Sequence, residues 1–197
     1  VELTRPDGQR THLTVFALET LLSPTLICMS DRPGVLVPIQ RDYAEHLLDH
    51  LDQMQLLAHS KALLFQQRHY LSAPRTLKSF KRGSLMFFYE STRKKGLKAV
   101  VAVARVINAY LRAEGAVDKG DLDRSVLEVS DLDAIGKSKI KTVVVFDNLM
   151  KMKNPVPLES LKKFGCGEAN QLRTSRIITS EQIENILLEG FPHDYPA

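Results

Sequence analysis

The stretch LMFFYES at residues 85–91 sets an aromatic run against a carboxylate and a hydroxyl. Side chains alternate along a strand, so Phe87 and Tyr89 share one face while Met86, Phe88 and Glu90 share the other. One of these faces must be core, and Phe87 and Phe88 read as strand packing. Glu90 asks for a partner or a cleft, because a carboxylate at the end of a buried strand is costly when left alone. The chemistry open to this aromatic and basic region is recognition, because a ring face can stack on a nucleobase; plain strand packing is the alternative. Lys78 upstream, with Arg93, Lys94 and Lys95 in the turn TRKKG, supplies cations for phosphate contacts.

Other reactive side chains form poorer constellations. His46 and His50 stand four apart in EHLLDH, the spacing of a zinc pair on one helical face, but no third ligand lies near and a solvated helix face is the expectation. Cys166 lies between glycines in FGCGEAN with no histidine nearby to act as its base, which marks it as structural. RKKGLKA at 93–99 brushes against the Arg-x-x-Gly-x-Gly/Ala loop that binds coenzyme pyrophosphate. Lys98, however, stands where a small residue is required, and an apolar β-run follows instead of a helix. The sequence holds no Walker loop, nucleophile elbow or Gly-x-Gly-x-x-Gly. No catalytic residue, metal ligand or cofactor is assigned.

The whole chain sets the frame for these residues. Its 197 residues, 44% hydrophobic and 25% charged, suit a globular fold of one domain, or one domain with an appendage. The apolar runs at 99–104 and 142–146 are far too short to span a membrane. Val1 is not an initiator methionine and no secretory signal pattern appears, so a fragment or processed product is expected. Cys28 and Cys166 read as reduced thiols and point to a cytoplasmic location. The net charge of +4 says less than its distribution. Between Arg68 and Arg105 Glu90 is the only acid among many cations, residues 106–134 are acidic, and lysines return from Lys137 to Lys153. Such segregation can build a face that attracts polyanions; an ordinary solvated surface is the alternative.

The elements that must position the recognition residues follow from pattern. RPDGQ at 5–9 is a turn, GVLVPIQ at 34–40 a buried strand whose Pro38 suggests an edge or an end, and residues 41–57 an amphipathic helix. Residues 62–72 read as a strand and 72–83 as a basic helical turn ended by Gly83. Two strands then flank TRKKG, the acidic stretch 113–124 reads as a loop, and a short helix with Ser130 as cap follows. KTVVVFDNLM is a further strand, Pro157 opens a helix that Gly165 ends, and TSEQIENILLEG is a capped helix with Ile183, Ile186 and Leu187 on one face. The sum is an α+β domain on a curled, small mixed or antiparallel β-barrel with helices packed around it, since the strand-to-strand turns are too short for a doubly wound parallel sheet.

The series YLSAPRTLKSFKRGSLMFFYEST, KAVVAVARV, TVVVFDNLMKMKNPVPLESLK and RTSRIITSEQIENIL resembles the PUA-like superfamily, in particular its ASCH and EVE branches. The resemblance covers about residues 35–190, leaving 1–34 as an N-terminal extension or remnant of an upstream domain and 191–197 as a tail. It implies a pseudo-barrel with a cleft for RNA, DNA or a modified or flipped base. By position, Ser72 and Arg75 would line the entry and Tyr89, Glu90 and Ser91 the strand end. Arg105, Phe146, Asp147 and Asn148 would complete the cleft, with Arg105 as an alternative counter-charge for Glu90. Ser84 and Ala102 depart from the residues common in such domains, and the ASCH signature Gly-x-Lys-x-x-Glu-x-Arg is missing, so the amidohydrolase activity of some relatives is not carried over. The expected role is nucleic-acid recognition within a larger regulatory protein, with a helix-turn-helix or acetyltransferase module as the upstream partner the family implies. A nucleoside-directed amidohydrolase or acetyltransferase-linked enzyme and a protein-interaction module with a basic face are the alternatives.

Overall fold

β5 (Leu85–Glu90) is buried at all six positions, and the architecture follows from that. Met86 and Phe88 enter a core with Val35, Val37, Val144 and Phe146, while Leu85, Phe87 and Tyr89 enter a second core with Leu158, Leu161, Ile183 and Ile186. Both faces are therefore core, where sequence alternation demanded only one. A strand without a polar face must lie inside a sheet covered on both sides.

The computed structural model describes residues 2–4, 6–48, 66–91, 96–135 and 137–192. β1 (Glu2–Thr4) and β2 (Arg10–His12) form a small ribbon around the turn foreseen at Pro6 and Gly8. The main sheet contains β3 (Gly34–Ile39), β4 (Arg68–Ser72), β5, β6 (Ala99–Ala113), β7 (Ile140–Pro157) and β8 (Arg176–Ile178) in the order β4-β7-β6-β5-β3-β8. β3 runs parallel to β5, and the other pairs are antiparallel. The terminal strands β4 and β8 are not paired to each other, so this α+β pseudo-barrel stays open. Register shifts interrupt the β5–β6 and β6–β7 ladders, and extra residues of this kind bend long strands.

β3 has neighbours on both sides and is no edge strand, but β8 pairs only with Gly34, Val35 and Leu36, so Pro38 stands at the strand's end on a margin left unpaired among the described residues. Beyond Leu36 the ladder on that side stops. Gly34 lies so close to α5 (Ser180–Gly190) that an added Cβ would fall 2.6 Å from the Ile183 side chain. α5 begins with the foreseen cap, Thr179 and Gln182 forming a reciprocal capping box. α4 (Leu158–Lys163) starts after Pro157, and Gly165 follows it at φ 72°.

Four local expectations change. The acidic stretch is not all loop: Asp118 caps α3 (Lys119–Ser125), and its Oδ1 accepts from the Asp121 N–H at 2.8 Å. Ser130 lies inside a 3-10 segment, Val129–Ile135, rather than capping a helix. The basic turn is a 3-10 segment, Pro74–Ser79, ending before Gly83. β7 runs on through Pro157, well past the foreseen strand. α2 (Arg41–Leu47) opens the amphipathic helix, whose continuation from residue 49 lies outside the described residues.

The N-terminal segment holding α1 (Val15–Leu21) is bound to the sheet through buried charges. Arg105, 1% exposed, makes a two-pronged pair with Asp147 at 2.8 and 2.6 Å and reaches the Phe16 carbonyl at 2.9 Å. Glu19, fully buried, lies 3.6 Å from Arg105 and pairs with Arg32 at 2.5 and 2.9 Å. Arg82 and Arg105 both stack on the Phe16 ring, at 4.2 and 4.4 Å from its centroid.

Removing one partner of a buried ion pair strands the others. Arg105→Ala is therefore expected to lower unfolding stability by about 3–5 kcal/mol, measured by urea denaturation, and a loss below about 1 kcal/mol would show that the network does not hold the N-terminal segment in place. Thr179→Ala removes only the α5 cap and is expected to lose about 1 kcal/mol in the same assay.

Candidate functional site

Where β8 stops pairing with β3, a cleft of about 490 Å³ opens. Pro38, Ile39 and Gln40 form one side, Ser72 to Thr76 another, and the segment 169–175 a third. The turn after β4 is fixed by small hydroxyls. Ser72 and Thr76 hydroxyls meet at 2.8 Å, and the Ala73 carbonyl accepts from Thr76 at 2.7 Å and Thr142 at 3.1 Å. This anchoring holds Arg75 exposed at the cleft's edge. Across the opening, Leu172 is 1% exposed and plugs the second core, which turns its neighbour Arg173 outward into the lining.

Tyrosines border the same space. The Tyr70 hydroxyl donates to the Pro38 carbonyl at 2.8 Å, and the Tyr43 hydroxyl donates to Asp131 Oδ1 at 2.8 Å. Burial raises both phenols, Tyr43 to about 12 with Asp131 adding to the effect. With their hydroxyls engaged, these residues offer the cleft ring surface rather than acid–base chemistry. Among the described lining residues Arg75 and Arg173 carry charge, His69 is titratable, and no carboxylate occurs.

Of the sequence-derived site residues, Ser72, Arg75, Tyr89 and Ser91 come together here. Tyr89 is only 2% exposed, its hydroxyl is shut in without a hydrogen-bond partner among the described residues, and burial with nearby Glu159 raises its pKa. Glu90 does not line the cleft. It is fully buried on the other face of β5, where Oε1 accepts from the Leu97 N–H at 3.1 Å.

Five others are placed elsewhere or outside the cleft lining. Phe146 is fully buried against Phe88, ring centroids 5.2 Å apart. Arg105 and Asp147 neutralise each other; burial opposes the guanidinium charge, but Asp147 and Glu19 outweigh it and raise the pKa. Arg105 is thus the counter-charge of Asp147 and Glu19 rather than of Glu90. Asn148, at φ 48°, accepts from the Ser23 hydroxyl at 2.7 Å and donates to the Thr25 carbonyl at 2.8 Å, fastening the N-terminal segment. Lys78 is exposed on the 3-10 segment outside the lining. Arg93, Lys94 and Lys95 lie outside the described residues, as does His50 of the histidine pair. Cys166 is buried, and burial pushes its thiol to about 11, away from nucleophilic use.

Sequence reasoning missed Arg173, Tyr43 and Tyr70. Tyr43 lies in the stretch 41–57 read as an amphipathic helix, where an aromatic residue reads as packing. Tyr70 and Arg173 stand at the starts of the segments YLSAPRT and RTSRIITS, which carry the resemblance, but nothing in their spacing says that the two segments meet.

Comparison with known proteins agrees with this architecture. The ASCH protein of Zymomonas mobilis has a similar crystal structure, with a TM-score of 0.60 at 10% identity over 80% of this chain and 95% of that one. A mutant of the same protein gives a TM-score of 0.60 at 8% identity, over 79% of this chain and 97% of that one. Identities this low speak for the fold alone. Among curated proteins no match is found. The family model of the EVE domain matches residues 49–188. The chain belongs to the EVE domain family, on a PUA-like fold shared with ASCH proteins.

Proposed function

We propose that this chain binds nucleic acid, taking an unstacked base into the cleft and the flanking phosphates at its rim. The observation that carries this reading is the charge of the lining: Arg75 and Arg173 stand exposed at the cleft with no carboxylate among the described lining residues. Guanidinium groups suit phosphate oxygens through paired N–H donors. The walls between them are tyrosine ring and small hydroxyls, surfaces on which a base can stack for about 1–3 kcal/mol and make directional hydrogen bonds. PUA-like domains commonly bind nucleic acid, and membership of the EVE family supports the same reading.

In this proposal Ser72, Arg75 and Ser91 contact the ligand, Tyr89 backs the cleft wall, and Lys78 with Arg93, Lys94 and Lys95 extends the phosphate path. The 35–190 unit would be the recognition part of a larger regulatory protein, with residues 1–34 as its extension and 191–197 as its tail. Among the described residues no helix is long and apolar enough to cross a membrane.

Binding should be tested with single-stranded RNA, single-stranded DNA and duplex DNA across a salt series. The expected result is affinity that falls steeply with salt, and a log–log slope reduced by about 0.7–0.9 for each of Arg75→Gln and Arg173→Gln. An absence of binding to all three at low salt, or unchanged slopes in both variants, would defeat the reading. Binding to acidic peptides with no preference for nucleobases would favour a protein-docking face instead.

A further inference from the structure

His69 on β4 is 4% exposed, and the residues around it join the sheet to α3. Its Nδ1 lies 3.0 Å from Asp121 Oδ1, and Asp121 is itself 3% exposed. Asp121 Oδ2 accepts from Arg112 of β6 at 2.5 Å, and Arg112 also reaches Asp118 at 3.1 Å. β7 presents Val145 opposite His69, without charge. The groups facing the imidazole region are therefore Asp121, Asp118 and Arg124 from α3 and its cap, and Arg112 and Tyr110 from β6.

One cleft wall follows directly on α3. Immediately after it Val126 takes a left-handed turn at φ 55°, and Ser125, Leu127, Ala134 and Ile135 line the cleft. Asp131, in the same segment, accepts from Tyr43 across the cleft. The wall is thus joined to α3 at one end, while further along Leu132, 2% exposed, packs on Leu71 and Val143 beside the Tyr43–Asp131 bond.

We propose that His69 and Asp121 form an acid-sensitive latch: proton uptake by His69 opens α3 and loosens the part of the cleft wall next to it, at Ser125 and Leu127. Its effect on ligand binding rests on the nucleic-acid reading above; the opening itself does not.

The direction follows from linkage. Burial lowers the His69 pKa from its usual 6.5, Arg124 and Arg112 push the same way, and Asp121 only partly offsets them. In the window between the lowered folded value and about 6.5, an opened state binds more protons than the closed one, so closure is complete above that window and weakens as pH falls through it. The cheapest opening is local, because α3 has only seven residues, and its one large apolar side chain, Leu122, is half-buried, as is Leu127 just beyond it.

Hydrogen exchange of the α3 amides tests this without any ligand. Between about pH 7.5 and about pH 5, after correction for intrinsic exchange, protection of residues 119–127 is expected to fall by up to about tenfold per pH unit below about 6.5, while β5 and β6 amides keep theirs. His69→Gln should remove the pH dependence. Should that variant not fold, NMR titration of the wild-type imidazole decides alone. A folded His69 pKa at or above about 6.5, or the same acid loss of α3 protection in His69→Gln, would overturn the latch. A cleft that binds no nucleic acid at any pH, with the exchange result intact, would remove the functional reading and leave the latch standing.

Discussion

The burial of the Arg105 guanidinium is the constraint on which the rest of the structure leans. An arginine 1% exposed is tolerable only with its charge neutralised and its donors occupied, and the partners come from two distant parts of the chain. Asp147 supplies one side from the register of β7, directly opposite Arg105 in the ladder. Phe16, Glu19 and Thr20 supply the other from α1, and Glu19 brings Arg32 with it. The pairing of β6 with β7 and the seating of the N-terminal segment are consequently one event, since neither can be lost without exposing or orphaning a charge.

The same commitment shapes the cleft. Several acids near the sheet are engaged away from the lining: Asp147 and Glu19 with arginines, Asp121 and Asp118 with Arg112, and Glu90 with the Leu97 N–H, while Asp131, beside the cleft, accepts from Tyr43. Arg75 and Arg173 then set the sign of the lining although the chain's net charge is only +4. Among the described lining residues, placement of the acids, more than the number of bases, leaves a cationic surface.

This explains what could be read from the sequence and what could not. The β5 run, the Thr179 capping box and the order of elements follow from local pattern, and the family resemblance rests on that order. Alternation placed Tyr89 and Glu90 on opposite faces of β5, but could not say which face borders the opening. Tyr89 proved to be the neighbour of the cleft and Glu90 the sealed group. Arg105, Asp147 and Asn148 sat at plausible strand positions, yet their partners lie more than eighty residues away for the α1 contacts and could not be inferred from spacing. α3 was missed because its capping box uses Asp121 rather than Glu or Gln, so an acid-rich helix looked like a loop.

The point at which β8 leaves β3 has a consequence beyond making room. A sheet margin that stops midway along a strand is the kind of template onto which a second chain can add a strand and begin to aggregate. Here the margin carries Pro38, which has no N–H to offer, and its carbonyl is already taken by the Tyr70 hydroxyl. A proline and a phenol thus blunt the margin against intermolecular strand addition while leaving the opening free for side chains to line. The opening can stay wet and accessible without behaving as a sticky edge.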